Sequence, residues 1–527
     1  MSEITLRRDA GPLGLLFASV GGMIGSGWLF GALNAAKIAG PASLISWVIG
    51  GIAVLLLAFV YAELSTMFPR PGAVVIFPKL CFGDLAARIY SWINFLAYVS
   101  VAPVEAVAVV SYAANFAPSL EHANTSTLTL TGLAAAIVLM LLFLFINLFA
   151  IKLVLAINNA ITWWKLIVPA LTVITLVTVH FRTANFTQFG GFAPAGIGGI
   201  FAAVSGSGII FTFLGFRQAI ELAGESANPH RNLPIGILGS VLLCLALYLG
   251  LQLAFIGALG PDNLANGWAA LKFPGISGPF AGLASLLGLP WLAALLYADA
   301  AISPGGTGII YNTTAARVIY ATAEAGMLPK YFTNLSPKGV PLRSLGLAFA
   351  VGLLFLAPLP SWRQLVTYLS SIGVLAYGVG PVVLICFRTT LPEADFTRPF
   401  RLALAWVVAP AAFIVGNLVV FWAGAAVANH LFGLILGAFI LFCAWAWRQN
   451  TLAQQPWRGA AWIAPYFAGL WLITWAGPLH GQHWFNNANG AAIIAVFSLI
   501  ILALAKKCAL PDPAEAKARF HIPIARR

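Results

Sequence analysis

The chain has 527 residues, 61% of them hydrophobic and only 8% charged, with a formal net charge of +13. A soluble globular domain carries about 25% charged residues, so this chain cannot cover itself against water, and the bilayer is the solvent that suits it. Its apolar runs are continuous, not alternating, which excludes a transmembrane barrel and leaves helices whose backbone groups pair internally.

Taken in chain order, about fourteen apolar runs approach the ~20-residue crossing length. They fall at 13–36, 41–66, 88–116, 128–149, 153–180, 197–222, 233–259, 280–310, 344–360, 364–387, 403–427, 430–447, 459–479 and 489–505. The first run begins near Pro12, has no small-residue cleavage site and leads straight into the second. It reads as a span, not a removed signal peptide. Of the 28 Lys and Arg, 22 fall on one side of this layout, while Lys37, Arg182, Lys272 and Arg363 fall on the other. Lys165 and Arg217 remain inside spans. That partition is the positive-inside pattern. It predicts a multi-pass protein of the cell (inner) membrane with both termini cytoplasmic, and it accounts for the basic charge without nucleic acid.

Two runs are unusual. The first carries Gly21-Gly22-Met23-Ile24-Gly25-Ser26-Gly27 at its middle, and the sixth carries Gly206-Ser207-Gly208 through Phe213-Leu214-Gly215-Phe216. Each Gly costs a helix interior about 1 kcal/mol relative to Ala, so these clusters invite the helices to open. Opened backbone at membrane depth survives only where it lines a cavity or meets a ligand. Freed N–H groups and a helix dipole suit an anion, and freed carbonyls suit a cation. A zwitterionic amino acid offers one of each. The bland alternative is close helix packing through small residues. Their positions, heading the first and sixth spans, are what two inverted five-helix repeats would produce.

Further strings agree. Gly22 to Phe30 reads Gly-Met-Ile-Gly-Ser-Gly-Trp-Leu-Phe, and Phe213-Leu214-Gly215-Phe216 precedes Glu221, Glu225 and Asn228-Pro229-His230-Arg231-Asn232-Leu233-Pro234. Ala39-Gly40-Pro41-Ala42, Tyr61-Ala62-Glu63-Leu64, and Ala316-Arg317-Val318-Ile319-Tyr320 with Gly326-Met327-Leu328-Pro329-Lys330 complete the pattern. With these strings the chain resembles the amino acid permeases of the amino acid–polyamine–organocation superfamily. The resemblance implies an all-α membrane fold: a ten-helix core over residues 1–390, in two inverted repeats of roughly 12–180 and 196–388, with discontinuous first and sixth spans. Residues 391–510 would then be accessory helices, the last two of them beyond the family's usual twelve spans, and 511–527 a cytoplasmic tail. It also implies that Ser26 and Gly27 donate to a substrate carboxylate. The carbonyls of Met23, Phe211 and Leu214 would accept from its ammonium, and the Phe211 ring would gate the site.

Ionisable groups deep in a span are functional suspects. Glu105, Lys165, Arg217, Glu221 and Asp299 are such groups. Lys165 is a candidate proton carrier; the resemblance places a lysine here where related symporters hold sodium, with Ser303 as its neighbour. The alternative is a structural tie to first-span carbonyls. Arg217 presents a permanent charge and a fork suited to carboxylate, which favours an acidic substrate, aspartate or glutamate. Alternatively it neutralises Glu221, four residues away on the same helix face. Glu105 and Asp299 would carry protons, hydrogen-bond an opened backbone, or pair with Lys165 or Arg217. Glu63 and Glu225 lie near cytoplasmic helix ends, where pairing with loop cations is expected.

The function expected is secondary active, proton-coupled and sodium-independent amino acid uptake, with an exchanger as the alternative. No GxxxxGK[ST] string supports ATP-driven pumping. A membrane enzyme would need a nucleophile or metal set at a membrane face, and none is evident. Five scattered Cys and the His480–His483 pair lack metal-ligand spacing, so neither metal nor cofactor is expected. Trp47, Trp92, Trp291, Trp362 and Trp457 read as packing or interface anchors.

Overall fold

The structure is a computed structural model that describes residues 10–510 apart from 71, 123–124, 149–150, 272, 274–277, 338, 357–360, 392–397 and 449–454. The tail expected from Pro511 lies outside the described residues. Among the described residues the regular structure is helical, with two isolated β-bridges.

The principal helices are α1 (Pro12–Met23), α2 (Ser26–Ala39), α3 (Ser43–Met67), α4 (Asp84–Val99), α5 (Val101–Ala113), α6 (Leu130–Asn147) and α7 (Ile151–Val179). They continue as α8 (Gly196–Gly206), α9 (Ile209–Phe213), α10 (Arg217–Glu221), α11 (Pro229–Ala258), α12 (Pro290–Glu324), α13 (Leu342–Leu356) and α14 (Trp362–Thr390). Last come α15 (Ala405–Ala423), α16 (Ala425–Arg448), α17 (Ile463–Ala476) and α18 (Asn487–Cys508). Helix falls on every predicted run. By length and composition, nine described helical stretches can cross a membrane, or ten if the bent pair Gly196–Gly206 and Ile209–Glu221 counts as one span. One of the nine joins α2 to α3, from Ser26 to Met67. A straight helix of that length would measure about 63 Å, twice the hydrocarbon thickness. Gly40, at φ 62°, breaks it, and Pro41 follows.

Local chemistry sets the ends. Pro12 opens α1, where its missing N–H is no loss. Thr129, Ser361 and Asn486 cap α6, α14 and α18 through their side chains. The eighth predicted run stops at 310, whereas α12 runs on to Glu324. Asn312, Thr313, Thr314 and Arg317 lower the hydropathy there without breaking the helix. Hydropathy reports where the bilayer ends, not where the helix ends.

Two packed groups frame the site. The helix α11 packs on α1, α3 and α10, and α10 on α1, while α12 packs on α4, α5, α6, α7 and α13. The two groups meet at the helix breaks, where α1 also contacts α7 and α12.

One buried ionic cluster ties α3 to α14. Glu63 is fully buried and receives Arg388 as a fork, at 2.9 Å from Nε to Oε1 and 2.6 Å from Nη2 to Oε2. Arg398 lies 3.3 Å away, and the Leu402 N–H donates at 2.8 Å. Pairing of Glu63 with basic side chains is as expected, although Arg388 belongs to the last turn of α14 and not to a loop. Removing one member of a buried pair strands the other's charge and costs about 3–5 kcal/mol. Glu63→Gln is therefore expected to lower the melting temperature of the detergent-solubilised protein clearly; an unchanged melting curve would show the cluster to be energetically neutral.

Candidate functional site

The first break is a two-residue interruption. The Ile24 N–H still reaches the Val20 carbonyl, at 2.9 Å, but Ile24 and Gly25 leave helical geometry before α2 restarts at Ser26. Carbonyls freed from the ladder then find side-chain donors, as buried acceptors must. Lys165 Nζ on α7 donates to the Gly21 carbonyl at 2.6 Å and to Thr307 Oγ1 on α12 at 2.7 Å. Thr307 Oγ1 also lies 3.3 and 3.4 Å from the Gly21 and Ile24 carbonyl oxygens. Tyr248 on α11 donates to the Met23 carbonyl at 3.0 Å.

At the restart, the Ser26 N–H donates to Glu105 Oε2 on α5 at 2.8 Å. The Ser26 hydroxyl accepts from Trp362 Nε1 at 2.8 Å. Glu105 is fully buried, and its second oxygen, Oε1, has no hydrogen-bond partner. Thus the N-terminus of α2, expected to hold a substrate carboxylate, faces a carboxylate of the protein's own.

The second break sits against the first. Gly208, at φ 92°, separates α8 from α9, and the halves bend by 48°. A Cβ on Gly215 would overlap the Gly22–Met23 backbone. A Cβ on Gly27 would strike the Thr212 methyl and come within 3.3 Å of the Phe211 ring. These glycines let the two opened backbones touch. The Leu214 carbonyl accepts from Tyr377 at 2.8 Å, and the Phe211 carbonyl accepts from the Leu214 N–H. The Phe211 and Leu214 carbonyls thus each have a protein donor, while the Met23 carbonyl has two, taking the Gly25 N–H at 3.1 Å besides Tyr248.

Lys165 and Ser303 do not pair. Ser303 donates to Asp299 Oδ1 at 2.5 Å, as does Trp164 Nε1 at 2.8 Å, and Lys165 meets Thr307 one turn further on. Asp299, Ser303 and Thr307, at four-residue spacing, form one polar stripe on α12 facing α7. No ion pair joins Arg217 to Glu221. The Arg217 guanidinium lies 3.5 Å from the Tyr98 ring centre, 5.1 Å from Tyr311 and 5.5 Å from Tyr377. Its Nη2 donates to the Ala97 carbonyl at 3.0 Å, while Nε and Nη1, buried, make no hydrogen bond. The Tyr98 hydroxyl donates to Glu221 Oε1 at 2.7 Å, so one tyrosine touches both charges. Ala97 lies in the last turn of the first and Glu105 in the second of the two successive helices α4 and α5, so Arg217 and Ser26 meet this stretch at different turns.

A vestibule of about 1490 Å³ reaches toward this site from the face bearing Lys37, Glu121, His122 and Arg363. Phe30 and Trp362 line it and stack at 4.9 Å, while Ser26, Glu105 and Phe211 are not in its wall. Phe211 meets Trp362 edge-on at 6.3 Å. An aromatic floor therefore separates the vestibule from the first break, whereas Gly206, at the second, lines its wall. In the loop beyond α5, burial pushes the Glu121 carboxyl up to about 6, against the opposing hydrogen bond from Ser111. The vestibule loses that negative charge as pH falls through this value.

A profile of the amino acid permease family matches residues 11–441. The chain belongs to that family. The permease is 37% identical over 511 residues to the glutamate/serine transporter AimA of Bacillus subtilis, covering 95% of this chain and 94% of that one. It is 34% identical over 505 residues to the aspartate-proton symporter of Bacillus subtilis, covering 95% and 96%. A branched-chain amino acid permease of the same organism is 26% identical over 350 residues, or 64% of this chain and 71% of that one. The family profile stops at residue 441, yet the two fuller matches extend across nearly the whole chain. The last helices are thus shared with those relatives. The protein is a multi-pass membrane transporter of amino acids in the amino acid–polyamine–organocation superfamily, and not an enzyme.

Thr307, Tyr248 and the tyrosine cage were not singled out in the sequence, and Trp362 was read as an anchor. Thr307 alone had a signal, within Gly305-Gly306-Thr307-Gly308.

Proposed function

We propose that the permease takes up an acidic amino acid together with protons, independently of sodium, across the cell membrane. The observation that carries this reading is the Lys165 ammonium fixed between the first break and α12, 2.6 Å from Gly21 and 2.7 Å from Thr307. A sodium ion about 4 Å from that charge would be repelled by about 4 kcal/mol at an effective dielectric of 20. In this reading Ser26 and Gly27 bind the substrate carboxylate, the Met23, Phe211 and Leu214 carbonyls bind its ammonium, and Phe211 closes over it. Arg217, with two buried nitrogens free of hydrogen bonds, receives the side-chain carboxylate. Glu105, Lys165, Asp299 with Ser303, and Glu221 form the proton route. The aspartate-proton symporter and the glutamate/serine transporter among the relatives support the substrate class and the coupling ion.

The same reading assigns residues 1–390 to a ten-helix core of two inverted repeats within a fourteen-span chain, residues 391–510 to accessory helices, and the basic loops and both termini to the cytoplasm. Alternating access is then rocking of the α1–α3–α10–α11 group against the α12 group.

The test is uptake of radiolabelled aspartate, glutamate, serine and alanine by purified protein in liposomes. Accumulation is expected with an imposed inward proton gradient and no sodium. Accumulation that needs sodium would contradict the reading. Uptake only into vesicles preloaded with amino acid would favour an exchanger.

A further inference from the structure

We infer that Glu105 is a tethered stand-in for the substrate carboxylate, and that an amino acid binds at the α2 N-terminus only as Glu105 gives up the Ser26 N–H and takes up a proton. The inference rests on the proposed function and supplies a coupling step for it.

Three observations lead to it. The Glu105 carboxylate already makes the contact expected of the substrate, 2.8 Å from the Ser26 N–H. Its other oxygen is fully buried and unpartnered, so the group spans the position without being satisfied there, as a competitor for it would. A Cβ on Gly25 would strike Glu105 Oε1 and come within 2.9 Å of Thr307 Oγ1. A space too small for one methyl cannot hold a second carboxylate beside the first.

The charges around Glu105 define what happens on exchange. The titratable groups facing it are Lys165 from α7, Tyr248 from α11 and Tyr311 from α12. Lys165, held by Thr307 and Gly21, is the cation among them. When the substrate carboxylate takes the Ser26 N–H, two carboxylates would claim that one donor at close range, with the substrate ammonium held apart on the carbonyls of the breaks. Like charges at one site cannot both remain ionised. Glu105 therefore binds a proton from the aqueous side, leaving one carboxylate anion at the α2 N-terminus before and after substrate enters. No bond to the substrate forms or breaks. When substrate leaves toward the cytoplasm, Glu105 returns to Ser26 and releases the proton there. Obligatory coupling follows from one donor group with two claimants.

The test uses the full-length protein in weakly buffered detergent solution, with a pH-indicator dye and radiolabelled aspartate, glutamate or serine. The wild type is expected to take up about one proton per amino acid bound, so its Kd rises about tenfold per pH unit at alkaline pH by linkage. Glu105→Gln is expected to bind with no proton uptake and a pH-independent Kd. Its liposomes should exchange substrate but not concentrate it under a proton gradient. Glu105→Gln that takes up the same proton, or wild type that binds without one, would overturn the inference. Should Glu105→Gln fail to purify, the infrared difference spectrum of the wild type serves: a protonated-carboxyl stretch is expected on binding, and its absence would contradict the inference. Wild type that binds serine but not aspartate overturns the acidic-substrate reading and leaves this step standing, because serine carries the same α-carboxylate.

Discussion

Lys165→Ala is expected to abolish uptake, lowering proton-driven accumulation at least about 100-fold while the protein still inserts and purifies. Hydrogen bonds to a charged group contribute about 1.5–3 kcal/mol, and Lys165 makes two, to Gly21 and Thr307. Losing about 2.8 kcal/mol from the conformation that carries substrate is enough for a factor of 100. The loss falls on transport more than folding because the two partners belong to different groups. In the proposed cycle Gly21 lies in the helix that rocks, and Thr307 in the one it rocks against. Lys165→Gln keeps much of the length and the hydrogen bonding without the charge. It separates the tie from the proton: restored, pH-independent exchange would assign Lys165 to coupling, whereas full loss would assign it to holding the break. Uptake that stays pH-dependent in Lys165→Ala would remove Lys165 from the proton route.

Arg217→Ala is expected to weaken competition by aspartate selectively, by about 10- to 100-fold relative to alanine, the range for losing a hydrogen bond to a charged group. The guanidinium is held by Tyr98, Tyr311 and Tyr377, with one nitrogen on the Ala97 carbonyl and two making no hydrogen bond. A buried fork with unused donors suits a carboxylate, and it disfavours a cationic side chain by like-charge repulsion. Arg217→Lys keeps the charge but not the fork, so an intermediate loss is expected. Equal weakening for aspartate and alanine would instead assign Arg217 to the fold, through Tyr98 and Glu221. Competition assays on whole cells or liposomes read the ratio directly.

The two predictions also mark what could be read in the sequence. Membrane helices followed from the scarcity of charge, and the breaks at Gly21–Gly27 and Gly206–Gly208 followed from glycine's cost in a helix. The identity of the buried ions was equally plain, because ionisable residues stand out in apolar runs. Their partners were not. Ser303 and Thr307 lie on the same face of α12, and which of them meets Lys165 depends on the axial offset of α7, about 5.4 Å per turn. Nothing local to either helix sets that offset. Glu105 meets Ser26 across 79 residues, and Trp362 meets it across 336; such pairings arise from packing. The cage around Arg217 draws a tyrosine from each of three helices, none distinguishable in sequence from a packing residue. The end of α12 was missed for a different reason, since its polar last turns look like a loop to a hydropathy reading.

The most direct measurement of the account is a structure of the permease determined with aspartate. The account predicts the α-carboxylate on the Ser26 and Gly27 N–H groups, with Glu105 turned away, the side-chain carboxylate toward Arg217, and Lys165 still on Gly21. Aspartate bound elsewhere, with Glu105 still on Ser26 and the first and sixth helices unopened to the ligand, would contradict it.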